Sequence, residues 1–439
     1  MTAPDDRPIP PADAGTRRFF AACCAIAAFV LAGRYVQLAA FDRFAFGDFP
    51  QYYSGGLHAR HGRMDAAYPI PRSPTLNPGW AEASDLRPES VALHVRADAP
   101  VDGMRFIAVP PVGVMMVPLT ILPYDPARLA WGLLTAASMW LAIVLAAVVM
   151  HAFDGGRLTF TSGALVLALA AAPRTMLSLH AGNVSPIASL CLAIVLLSLV
   201  RPPIDLAWSI SGAAACVFAA LLKFTLVPYA AVFAMLGRWR AFAAAAGLGV
   251  AVVAITLPVT GLAAWRSFAE LMPTFDRVYE TAPLSAFLAT AAGIDPPHPR
   301  LDLGVRALFG LPVVAAVAWR LGWPSPKAAG PHAATAAALI LLAVALLCSP
   351  MFWHHYLLFF FPWAGWVVHA CRRRPRLWWL AAPLAICVLL PMGPPLRAVL
   401  PPPWDSYRTY AGLLAIAFGF AAWRPSASYG ATQSPAPSR

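Results

Sequence analysis

Charge is the scarcest commodity in this sequence. Only 12% of its 439 residues are charged, while 59% are hydrophobic. A soluble globular chain carries roughly 25% charged and about 45–50% apolar residues, so a water-soluble domain organisation is excluded. Strand-like alternation is missing as well. The apolar residues come in continuous, Ala- and Leu-rich runs, and about 20 such residues cross a ~30 Å hydrocarbon core as a helix. Only helices or closed barrels satisfy their backbone polar groups in lipid, and continuous runs select helices. The expected fold class is therefore an all-α polytopic membrane protein. Cysteine is sparse and unpatterned. Cys23, Cys24, Cys191, Cys216, Cys348, Cys371 and Cys387 lie inside or at the edges of apolar runs with no C-x-x-C, which reads as packing rather than as a disulfide framework or zinc site. No Gly-rich phosphate loop, dinucleotide fingerprint or Ser-x-x-Lys motif occurs, so nucleotide-using chemistry has no visible support.

What charge there is carries information about topology. The formal net charge is +12, and the basic residues cluster in short runs between apolar segments: Arg17-Arg18, Arg238-Trp239-Arg240 and Arg372 to Arg376. Such runs orient a chain in the membrane and meet anionic lipid, so membrane lipids rather than nucleic acid are the expected partner. Arg17-Arg18-Phe19-Phe20 has the outline of a twin-arginine export signal. With many apolar runs behind it, a first span with positive flanks is the expected reading. Spans are expected near 18–40, 128–150, 159–178, 184–200, 206–222, 225–237, 241–259, 303–320, 331–349, 355–371, 377–395 and 407–423. The segment 106–122 is short and punctuated by Pro110, Pro111 and Pro118. Counted as re-entrant, it leaves every basic run on the inner face, as the positive-inside rule prefers. Residues 1–15 and 424–439 then form disordered cytoplasmic tails around a membrane domain of 16–423. The long polar loops 41–105 and 260–302 fall on the outer face. Long loops of this kind are usually functional or disordered.

Four polar clusters converge near that face: Asp48 to Tyr53, His180 to Asn183, Lys223, and Ser349 to Tyr356. Each has an ordinary reading. Asp48 reads equally as a loop carboxylate or helix cap, and Lys223 as a lysine snorkelling from a helix end. His354 and His355, beside Trp353 and Tyr356, suit an interfacial aromatic belt. His180 to Asn183 suits a turn between helices. Together they suit group transfer from a lipid-linked phosphate. Asp48 would serve as general base. Lys223, His354, His355 and Arg105 would hold the departing phosphate. Tyr52, Tyr53, His180, Asn183 and Trp353 would position substrate. Asp48 has no Asp-x-Asp partner, so no metal is expected.

The order of these elements resembles glycosyltransferase family 87. They are Asp48-Phe49-Pro50-Gln51-Tyr52-Tyr53, Pro110-Pro111 running to Leu122-Pro123, Gly182-Asn183 before a leucine-rich span, Lys223 after an Ala-rich helix, and Ser349-Pro350 leading to Trp353-His354-His355. The resemblance runs from about residue 40 to 375. Departures include Gly182-Asn183 where Gly-Gln is usual, Val109 where an aromatic precedes the prolines, and a longer first outer loop. The resemblance implies a GT-C-type fold with about twelve transmembrane helices and a long first outer loop. It also implies an inverting mechanism, no cofactor, and a polyprenyl-phosphate-sugar donor, mannose being favoured. The acceptor would be a lipid or glycan hydroxyl. The expected setting is the bacterial inner membrane, with the active site facing the periplasm or exterior and both termini cytoplasmic. The competing readings are a polysaccharide polymerase or ligase using diphosphate-linked donors, and a transporter or flippase.

Overall fold

The long apolar runs fold as helices. The computed structural model describes residues 14–42, 45–68, 80–81, 88–97, 99, 103–104, 106–201, 205–275, 284–294, 303–323, 329–349, 352–391, 398–400, 404 and 406–423. Helix α1 spans Ala14–Phe41, α2 Phe49–Arg60, α3 Pro88–Arg96 and α4 Pro110–Met116. Helices α5 (Tyr124–Phe153), α6 (Phe160–Ala171), α7 (Pro173–Ala181), α8 (Ser185–Val200) and α9 (Leu206–Leu222) follow. A 3-10 segment, Phe224–Ala230, leads into α10 (Ala231–Met235), α11 (Trp239–Phe275) and α12 (Leu284–Ala291). The remainder is α13 (Leu303–Leu321), α14 (Pro331–Leu347), a 3-10 segment His354–Trp363, α15 (Ala364–Arg373), α16 (Trp378–Leu389) and α17 (Tyr407–Ala422). Among the described residues the sole sheet is a two-residue antiparallel pairing of Trp80–Ala81 with Gly103–Met104.

Proline and glycine set the breaks. Pro173 lacks an amide proton and pushes the preceding Ala172 to an extended ψ of 133°, so α6 and α7 meet at a 47° bend. Gly261, with φ +69°, kinks α11 where a loop was expected to begin, and helix continues to Phe275. Pro228 and Pro362 hold their segments in tighter 3-10 geometry. The segment 106–122 becomes α4 followed by a 3-10 turn, Val117–Ile121. Twelve residues of helix cover only about 18 Å, short of a ~30 Å crossing.

The described residues of the expected spans fall mostly on helix, although 377–395 runs past the end of its helix at Leu389. Among the described residues, four helices are long and apolar enough to cross a membrane: α1, α5, Trp239–Leu271 of α11, and α13. A fifth is added if the bent α6–α7 pair is one span, and six shorter apolar helices accompany them. The chain is thus an all-helical membrane protein.

Burial separates the inner from the lipid-facing helices. Every residue from Ala333 to Leu347 in α14 is buried, and α8 is nearly as enclosed. A helix apolar all round belongs inside such a bundle. In contrast, only 11% of the apolar window of α11 is buried. Close approach depends on glycine. A Cβ on Gly365 of α15 would collide with the Ala146 carbonyl of α5, and one on Gly412 of α17 would meet Leu347 of α14 at 2.7 Å. The ends of α5, α8 and α15 farthest from Asp48 are tied by charge. His369 Nδ1 and Arg372 meet the Asp154 carboxylate at 2.6 and 3.0 Å. Buried Arg238 donates to the carbonyls of Ser198, Leu199 and Arg201 at the end of α8, matching a cation to a helix C-terminus.

Gly365→Val is therefore expected to lower stability by about 1–3 kcal/mol through overpacking. Gly33→Val, where a side chain meets nothing within 4 Å, should leave it unchanged. Thermal unfolding in detergent checks the pair.

Candidate active site

Asp48 is aimed by its backbone. Phe46 adopts φ +63°, the left-handed region that bulky residues avoid, at a cost on the order of 1–3 kcal/mol. Two hydrogen bonds flank it and offset that cost: Phe46 N–H donates to the His180 carbonyl and Asp48 N–H to the Ala181 carbonyl, both at 2.7 Å. The receiving turn is closed by Gly182, also left-handed at φ +63°, where a Cβ would stand 2.5 Å from the Phe46 Cα. Trp131 Nε1 of α5 donates to the Gly182 carbonyl at 2.6 Å. The Phe46 ring lies against Gly132, one residue further on. The carboxylate-bearing turn is thus clamped between α5 and the α7–α8 turn.

The Asp48 side chain precedes the first residue of α2 without capping it, so the carboxylate remains available. It is 6% exposed, and burial pushes its carboxyl up to about 6, with the Lys223 charge opposing the rise. Lys223, between α9 and the following 3-10 segment, is 9% exposed. Burial pulls its ammonium down to about 8 while Asp48 opposes the fall. The ammonium is directed at His355 Nε2, 3.4 Å away, and at the Tyr356 ring face, 4.8 Å from its centroid. For His355 to accept that bond its Nε2 must be unprotonated, which puts the ring proton on Nδ1. Tyr52 is buried within the field of Asp48 and Tyr356. A crevice of only about 10 Å³ runs between Gln51, Tyr52, Ala108, Lys223, Phe224 and Tyr356, roughly the room one water needs.

The remaining expected site residues divide. His354 stacks edge-on to His355 at 5.2 Å. It is held neutral by burial and by the neighbouring charges of Arg174, Arg408 and Lys223. Trp353 stands 5.5 Å from the His355 ring, and its buried indole N–H has no acceptor among the described residues. Asn183 is fully buried: its Oδ1 accepts the Ser185 amide at 2.7 Å, while its Nδ2 lacks a partner among the described residues. His180 instead pairs with Asp42 at 2.9 Å at the half-exposed rim and acts as a strut. Tyr53 turns away from Asp48, its hydroxyl donating to the Leu122 carbonyl at 3.0 Å. Arg105 and Pro350 lie outside the described residues.

Sequence reasoning missed Arg174 and Arg408, which fall inside runs counted as spans. Arg174, at the start of α7, is 1% exposed, donates to the carbonyls of Val388 and Leu390, and has an Nη1 without a partner among the described residues. Both guanidinium groups approach the Tyr407 ring, at 5.4 and 6.0 Å. The signal was Arg174 itself, since an ionisable residue within an apolar run marks function by default.

Buried acid, buried cations and orphaned N–H groups at one end of an apolar bundle suit an oxygen-rich anionic substrate. Comparison with known families agrees: the sequence profile of glycosyltransferase family 87 matches residues 106–350. The chain belongs to glycosyltransferase family 87. The match covers Arg174, Asn183 and Lys223, while Asp48, the two histidines and Arg408 lie outside it. No curated protein matches the chain. This family 87 protein is a membrane glycosyltransferase, acting on a sugar donor and an acceptor.

Gly182→Ala is expected to cost more than Gly62→Ala, although both residues have positive φ. Only Gly182 has the Phe46 backbone in the way. A fall in the unfolding midpoint of Gly182→Ala beyond that of Gly62→Ala, with loss of activity, checks the clamp.

Proposed function

We propose that this glycosyltransferase moves a sugar, mannose being favoured, from a polyprenyl-phosphate carrier to a hydroxyl of a lipid or glycan acceptor, with inversion. The observation that carries the reading is the shared burial of Asp48, Lys223 and His355 at one end of an apolar bundle, although Lys223 and His355 lie 132 residues apart. Asp48, once ionised, takes the acceptor O–H proton. The acceptor oxygen bonds to the anomeric carbon while the bond from that carbon to the phosphate oxygen breaks on the opposite face. The electron pair leaves with polyprenyl phosphate, whose added negative charge meets Lys223 and the 354–355 histidines, with Arg174 behind them. Buried donors of this kind act strongly because water is excluded.

Two further features support a lipid-linked donor. An apolar cavity of about 410 Å³ opens between the 224–235 segment, α13 and α14, lined by Phe224, Pro228, Met235, Val314 and Val344. Phe224 borders both this cavity and the small crevice beside Lys223, which suits a prenyl chain leading away from that cation. The buried N–H groups of Asn183, Trp353 and Arg174 that lack acceptors suit phosphate and sugar oxygens. We further propose a GT-C-type arrangement of twelve spans in the bacterial inner membrane, with the site facing the periplasm and both termini cytoplasmic. In support, the basic ends of α8 and α15 lie opposite Asp48, as the positive-inside rule asks.

The test is transfer in proteoliposomes from radiolabelled polyprenyl-phosphate-mannose, followed against pH. An ionised Asp48 and a protonated Lys223 are both required. The rate at low donor concentration should rise through about pH 6 and fall above about pH 8. Nucleotide-linked mannose should support no transfer. A flat profile across this range, or transfer from the nucleotide sugar, contradicts the reading.

A further inference from the structure

A second, larger cavity lies elsewhere. It measures about 840 Å³ and sits at the far end of α2 from Asp48, between that helix, α3 and the 3-10 turn after α4. Its lining begins at Tyr53, and Arg60 at its far end stands about 18 Å from Asp48 along α2. The lining contains Arg60, Arg63, Arg96, His58 and His61, and among its described residues no carboxylate; Asp65, whose charge acts on His58, is not part of it.

Part of this charge has a structural explanation. Arg60 donates to the Thr120 carbonyl at 2.7 Å, and His58 is locked to the Ser54 carbonyl and the Ser90 hydroxyl. Both also sit in the last turn of α2, where a helix favours cations. Arg63 and Arg96 are different. They come from separate elements, both are exposed, and both line the same cavity. Gathering like charges is unfavourable unless an anion joins them. The rim is apolar: Ile121 is 71% exposed and Leu122 41%, with Val95 of α3 exposed close by in the chain. Arginines beside unburied aliphatic side chains form the pattern of a surface that meets charged headgroups and the upper acyl region together. The cavity volume is within the range of small-molecule sites.

We propose that this cavity binds the phosphate-bearing headgroup of an anionic membrane phospholipid, with Arg63 and Arg96 on the phosphate and Ile121 and Leu122 against the first methylenes. The proposal is independent of the donor chemistry, because none of the cavity's lining residues is given a role in catalysis apart from Tyr53, which turns away from Asp48.

Binding to the purified full-length protein tests it, with short-chain phosphatidylglycerol, phosphatidylcholine of the same chain length and free glycerol phosphate as probes. Saturable binding of phosphatidylglycerol is expected, with Arg63→Gln and Arg96→Gln each weakening it about fivefold. Arg63→Lys, which keeps the charge, should weaken it less. Arg17→Gln, at the other basic cluster, should leave it unchanged. Unfolding midpoints equal to the parent protein confirm that these exposed substitutions leave the fold intact. Phosphatidylcholine binding equally well, or unchanged affinity in both Gln variants, overturns the proposal. Glycerol phosphate matching the lipid would assign the cavity to a free phosphate and overturn it too.

Discussion

Two backbone hydrogen bonds, from Phe46 and Asp48 to the turn at His180 and Ala181, are the constraint on which the site depends. They hold a carboxylate in a place where water cannot stabilise it, at the start of a helix whose remaining surface is packed away. The strain at Phe46 is tolerated because Gly132 and Gly182 leave room for it and Trp131 closes the receiving turn. Once Asp48 is fixed, a buried ammonium nearby is electrostatically reasonable. Each charge moderates the desolvation of the other without collapsing into an ion pair, because Lys223 is drawn to His355 and Tyr356.

The bundle around this arrangement does two jobs. Its centre, α8 and α14, is apolar on all sides and rigidly packed, so the polar groups at its end are presented on a stiff frame. Its periphery, α1, α11 and α13, is largely unburied by the rest of the protein, and an apolar cavity opens beside Phe224. The crevice beside Tyr52, Lys223 and Tyr356 has room for about one water.

Much of this was legible in the sequence. Helical class followed from uninterrupted apolar runs, and Asp48, Lys223 and His355 stood out as polar residues stranded at the ends of such runs. The failures have local causes. Tyr52 and Tyr53 are adjacent, and helical geometry turns one toward Asp48 and the other to Leu122; sequence without register gives no basis for choosing. His180 pairs with Asp42, 138 residues distant, a contact that sequence alone does not reveal. Arg174 was hidden because 159–178 reads as one span until the Pro173 bend turns its second half into a separate helix. Arg408 opens the last helix in the same concealed way.

The most direct measurement is sugar transfer by Asp48→Asn, compared with the parent protein at equal membrane content and equal unfolding midpoint. Asparagine keeps the shape and removes the charge. The account predicts a loss of about 10²–10⁴-fold in turnover with the fold unharmed, since a neutral amide is less costly to bury than a carboxylate. Turnover by Asp48→Asn within a few-fold of the parent protein would remove Asp48 from the chemistry and contradict the account at its centre.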